Sequence, residues 1–155
     1  MRNLNEKAAK IFDNEMWYIC AGKKPESSVV LFKEVTTDGR LVFPVFGCEG
    51  VISNMSESNK IAVSAADSRT MSGYQVKGRA ELLTDGLLAD KWKESMQKMF
   101  GVDFKFKGIV EVIPDRVIIT TPGKHNNEEI WGCFYNVSLE YKFSAGGNNN
   151  DKIKW

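Results

Sequence analysis

Residues 73–83, GYQVKGRAELL, alternate more cleanly than any other stretch of the chain. Tyr74, Val76, Ala80 and Leu82 fall on one side and Gln75, Lys77, Arg79 and Glu81 on the other. That period of two belongs to a strand with one face in a core and a polar face left free. Gly78 lies on the apolar side, where the missing Cβ lets another backbone or a ligand come close.

The neighbouring segments carry the same signature. Residues 16–21 (MWYICA) and 28–35 read as strands, and Thr37-Asp38-Gly39 reads as a hairpin turn that sends the chain back through 41–46. Pro44 within that return marks an edge or a bulge. Residues 61–66 form a buried strand. Residues 108–113 and 116–121 are two strands or one bent strand around Pro114-Asp115, and 130–135 and 137–143 are strand-like. Asn3 with Glu6 predicts a capping box for a helix over 4–13, with Leu4, Ala8, Ile11 and Phe12 on one face. A shorter helix is expected over 51–58. The one long amphipathic helix starts after Thr84-Asp85-Gly86, carries Leu88, Trp92, Met96 and Met99 inward, and stops at Gly101. Seven or eight short strands with one main helix between them describe a mainly β protein, a small antiparallel barrel with helices plugging its ends. The 155 residues suit a single domain. It is expected over 1–145, with a Gly/Asn-rich tail at 146–155.

Several function classes are disfavoured. A net charge of +1, with basic residues scattered among acidic ones, gives no concentrated face for nucleic acid or an anionic membrane. No apolar run approaches the ~18 residues of a membrane span, and the polar N-terminus does not resemble a signal peptide. The expected location is the cytoplasm. Cys20, Cys48 and Cys133 are widely spaced and odd in number, as free thiols in a reducing compartment would be. The single histidine, His125, sits in a polar loop, and no cysteine pair has metal-ligand spacing. No nucleophile elbow, Walker loop or dinucleotide-binding turn is present. A chain without these groups that is nevertheless an enzyme takes its chemistry from a cofactor.

LVFPVFG, SNM, NKIAVSAAD and GYQVKGRAELLTDG follow one another between residues 41 and 86. In that order and spacing they resemble the pyridoxamine 5′-phosphate oxidase-like proteins, in particular the small FMN-binding proteins of that group. The resemblance covers roughly residues 14–121. It implies a six-stranded antiparallel split β-barrel that pairs with a second copy of itself, with two FMN sites at the seam, each lined by both chains. It places Gln75 and Lys77 near the flavin, the amide able to donate and accept at the ring's polar edge and the ammonium able to stabilise negative charge. It assigns the strand end at Val45, Phe46 and Gly47 to the ring, and Ser53 and Asn54 to the start of a short helix facing the phosphate.

The sequence departs from the pattern just before that helix. Related binding proteins carry a cation with a hydroxyl there, whereas this chain has Cys48-Glu49-Gly50-Val51. A phosphate bears about −1.5 to −2 charge at neutral pH, so Glu49 opposes it, and Arg69, Lys77 or Arg79 would have to compensate. Trp131, Phe134 and Tyr135 are candidates to cover the ring or the seam, or simply to pack in a sheet. Three functions follow: an FMN-dependent oxidoreductase acting on a small molecule or electron donor, a non-enzymatic flavin-binding or electron-transfer module, and a degenerate barrel that has lost flavin.

Overall fold

A computed structural model describes residues 4–23 and 26–130. Three helices and eight strands alternate as α1 (Glu6–Asn14), β1 (Trp17–Ala21), β2 (Ser27–Val30), β3 (Glu34–Val35), β4 (Leu41–Pro44), α2 (Glu49–Asn54), β5 (Lys60–Asp67), β6 (Ser72–Leu83), α3 (Leu87–Phe100), β7 (Ile109–Ile119) and β8 (Glu129–Ile130). The six-strand expectation matches the strands of four residues or more; β3 and β8 are the two short additions. The expected strand at 137–143, most of that at 130–135, Asn3, Cys133 and the 146–155 tail lie outside the described residues.

All the strand pairs are antiparallel, and the strand order is β2-β1-β5-β6-β7-β4-β3, with β8 added to β7. The single strand expected over 28–35 is therefore two strands, at opposite edges of the sheet. Only Leu31, Phe32 and Lys33 separate Val30 from Glu34, a reach of at most about 14 Å. Seven strands laid flat would place those edges about 29 Å apart. The sheet must curl until its edges approach, and it does so without pairing β2 to β3, which makes the barrel a split one. Lys33 secures the crossing: its ammonium donates to the Phe12 and Asp13 carbonyls at 2.7 and 2.6 Å.

Asn5, rather than Asn3, caps α1, accepting from the Ala8 amide at 2.8 Å. The helix buries Ala8 and Phe12 in the barrel. Trp17 stands at the centre, fully buried, edge-on to Phe12 and Phe43 with centroids 5.9 and 6.2 Å away. Its indole N–H donates to the Phe12 carbonyl at 2.6 Å, so the ring's one polar atom is satisfied where an unpaired one would be costly. Around it close Ile19, Leu41, Val63, Val76, Val110 and Val112.

The long helix does not plug an end. Ala89, Leu88 and Trp92 of α3 pack on Val42, Ile109, Leu83 and Phe106, which form a second apolar cluster on the outer side of β4 and β7. Leu41 and Phe43 meanwhile face the barrel core. Every residue of β4 is buried as a result, the pattern of a strand covered on both faces. Helix α3 starts at Gly86, without a side-chain cap, and ends at Gly101 as expected. Leu82, expected to point inward, is 47% exposed. Strand β5 begins at Lys60 opposite Arg79, so the last residues of β6 have β7 alone beside them and lose their cover.

Residues 109–119 form one bent strand, and the bend explains Gly78. Lys77 pairs with Arg116 but Gly78 with Pro114, leaving Asp115 as the extra residue of a β-bulge. A Cβ on Gly78 would stand 2.3 Å from the Ile113 carbonyl oxygen and 3.2 Å from the Pro114 Cα. Gly78→Ala is expected to cost about 1–3 kcal/mol, the scale of overpacking, read as a lower urea midpoint at unchanged slope. An unaltered midpoint would show that the bulge yields freely.

Candidate functional site

The polar face of β6 is the outer surface of the barrel. Helix α3 covers that face only around Leu83. Register aligns two rows of side chains across the uncovered part. One runs Val29, Tyr18, Ser64, Gln75, Ile118; the next runs Ser27, Cys20, Ala62, Lys77, Arg116. Tyr18 and Val29 are exposed, as are Cys20, Ala66 and Lys77, while Ser64 and Gln75 are half-buried. The centre of this face is therefore small or uncharged, and its side toward β7 is cationic.

Gln75 donates from Nε2 to the Ser64 hydroxyl at 3.1 Å. This bond orients the amide and leaves its carbonyl to accept and its second N–H to donate. Lys77 has no partner among the described residues. Gln75 and Lys77 thus share a surface, as expected, and Ser64, Tyr18 and Arg116 join them from other strands. The alternation Ala62, Ser64, Ala66 was the available signal for Ser64; reading 61–66 as a wholly buried strand hid it.

The second predicted group lies elsewhere. Val45 is buried in the barrel core, and its amide donates to the Gly108 carbonyl at 2.9 Å. It offers backbone, not side chain. Gly47 turns the chain with φ +71°, in open space. Phe46 is 40% exposed and meets Phe32, Phe100 and Phe104 at centroid distances of 5.9, 5.1 and 5.9 Å, an aromatic cluster whose members come from four separate segments. Pro44 aligns with Ile109 and Leu83, so this group sits at the far end of β6 from Gln75, with about 26 Å of strand between.

The short helix begins earlier than expected. Ser53 and Asn54 occupy its last turn, not its start. Ser53 donates to the Gly50 carbonyl at 2.7 Å, and the buried Asn54 amide donates to the Ala21 carbonyl at 3.4 Å and the Glu26 carboxylate at 3.3 Å. The start of the helix is acidic. Glu49 is held by Lys107 at 3.2 Å, and its carboxyl is kept below the usual range, first by backbone hydrogen bonding and then by Lys107. The Glu26 carboxylate lies so close to Gly50 that a Cβ there would stand 2.1 Å from its oxygen. Gln75, Ser64 and Lys77 are groups that a flavin ring would fit, whereas the start of α2 would not suit its phosphate.

Among the described residues no cluster of His, Cys, Asp and Glu could hold a metal, and no helix is long and apolar enough to cross a membrane. His125 is exposed, with Nδ1 2.9 Å from Glu128.

No protein-family model matches the sequence, and no curated protein does. Solved structures do match. Group A Streptococcus HupZ superimposes with a TM-score of 0.65 at 17% identity, over 79% of this chain and 98% of that one. Vibrio cholerae HutZ, described as a heme storage protein, gives 0.56 at 10% identity over 76% and 94%. An FMN-binding protein from Syntrophomonas wolfei gives 0.53 at 15% identity over 77% and 87%. The fold they share with this chain is the FMN-binding split barrel of pyridoxamine 5′-phosphate oxidase-like proteins.

The two described thiols should separate chemically. Cys20 is exposed on the candidate face, whereas Cys48 is 1% exposed, and burial pushes its thiol above the ordinary range. Brief alkylation of native protein followed by peptide mapping is expected to modify Cys20 before Cys48, more slowly where a partner covers the outer face of β1, and to spare Cys48 until denaturant is added. Equal labelling would contradict the placement of β1.

Proposed function

We propose, from the FMN-binding split-barrel fold, that two copies of this chain pair through the outer face of β1, β5 and β6 to hold FMN, and that the dimer passes electrons between the flavin and a small molecule or electron donor. The observation that carries this reading is the Gln75–Ser64 pair: a half-buried amide, pre-oriented and with free hydrogen-bonding capacity, set among exposed Tyr18, Val29 and Ala66. Apolar groups with a few placed polar ones are what a flat heteroaromatic ring requires.

The separation of the predicted groups supports the pairing. Phe46 and Gly47 of one chain stand some 26 Å of strand from Gln75 of the same chain, too far for one ring to meet both. A second copy can bring its own strand end to that ring. FMN, when bound, supplies an electron-accepting ring. The chain's part is to grip the ring's polar edge through Gln75, favour negative charge through Lys77, and shield the ring with Tyr18. Among the described residues the row of Gln75 holds no carboxylate or imidazole, which also suits a flavin-binding or electron-transfer module without turnover. A specific observation favours a second reading, a flavin-free barrel: Glu26 and Glu49 occupy the start of α2.

Freshly purified protein is expected to be yellow, or to quench added FMN fluorescence, and to sediment as a dimer. Gln75→Leu should weaken FMN binding about tenfold, the scale of one hydrogen bond to the ligand left unmade. Bleaching by a reduced nicotinamide would assign an oxidoreductase, and persistent colour a carrier. Colourless protein that quenches no flavin would leave the flavin-free barrel.

A further inference from the structure

Resting on the flavin reading for the identity of the ligand, we propose that Lys77 and Arg116 form an anion subsite that takes the phosphate monoester of the bound nucleotide, in place of the start of α2. Three observations converge on it. Lys77 and Arg116 are directly opposed across β6 and β7 on the outer face, and Lys60 and Arg79 are opposed in the adjoining row of β5 and β6. Like charges directly opposite destabilise a sheet, so two such pairs side by side favour nearby anions.

The chain supplies only part of that charge. Arg116 Nε lies 3.2 Å from Glu129, and Arg79 Nε lies 3.5 Å from Asp115, the residue that the bulge pushes outward. Lys60 and Lys77 have no side-chain partner among the described residues. With Arg116 and Arg79 each on a carboxylate, Lys60 and Lys77 remain for a group that carries about −1.5 to −2; Glu81, the next residue on this face beyond Arg79, stands opposite Glu111. The subsite is continuous with the Gln75–Ser64 pair, one row away. At α2 the balance is reversed: the helix has six residues and no side-chain cap, and both Glu26 and Glu49 stand at its first turn. A dianion placed there would meet two carboxylates, with Lys107 on Glu49 to offset only one of them.

The test compares FMN with riboflavin, which differ only in the phosphate, by quenching of flavin fluorescence. Wild-type protein is expected to prefer FMN. Lys77→Gln and Arg116→Gln should each reduce that preference about tenfold, and the double variant should abolish most of it; the readout is the ratio of FMN to riboflavin affinity, which a loss shared by both flavins does not move. Lys107→Gln, beside Glu49, should leave the preference intact. Equal wild-type affinity for the two flavins, or an undiminished preference in the double variant, overturns the subsite. If wild-type protein quenches neither flavin, the flavin reading fails separately, and the ³¹P line width of inorganic phosphate decides the subsite. Broadening by wild-type protein that the double variant loses sustains it; broadening that persists, or none in wild type, ends it.

Discussion

Three residues govern this architecture. Leu31, Phe32 and Lys33 join strands that lie at opposite edges of the sheet, and a tether of about 14 Å cannot span a flat sheet of seven strands. Curling is therefore a consequence of chain connectivity as much as of side-chain preference. The interior that curling creates is filled by Trp17, Phe12 and Phe43 in edge-on contact, and the crossing is held by an ammonium on two carbonyls at the end of α1. Helix, core and seam are thus one mechanical unit.

The curl also decides which surface is free. Strand β6 has its apolar side in the barrel and its polar side outward, and α3 shields that outer side only at the Leu83 end. Gln75, Lys77 and their neighbours on β1, β5 and β7 remain uncovered among the described residues. The Asp115 bulge adjusts this surface, aiming a carboxylate at Arg79 while keeping Arg116 level with Lys77. The same irregularity requires Gly78, whose position leaves no room for a side chain.

Much of this was legible from local pattern. Period-two alternation located β6 and its two faces, the Gly39 turn located its hairpin, and the stripe of Leu88, Trp92 and Met96 located α3. What local pattern could not carry was long-range. Residues 28–35 look like one strand because nothing local reports that the sheet's two edges meet there. Leu82 looks inward because nothing in its own segment reports where β5 begins. The resemblance assigned Ser53 and Asn54 to a helix start, but α2 begins at Glu49 and they fall in its last turn. In the candidate site, Gln75 and Lys77 were readable as a polar face, whereas Ser64 and Arg116 join them only through register between strands.

The seam has a further consequence, for solubility. An open barrel leaves two rims of backbone amides and carbonyls without ladder partners, and such rims can recruit strands from other molecules. Among the described residues the ends of the main strand order are β2, with four residues, and β3, with two, and β8, set beside β7, has two. Templates that short give an incoming chain few hydrogen bonds to copy. The tether that rolls the sheet also cuts its margins into fragments, so a barrel that never zips shut still offers little foothold for runaway assembly.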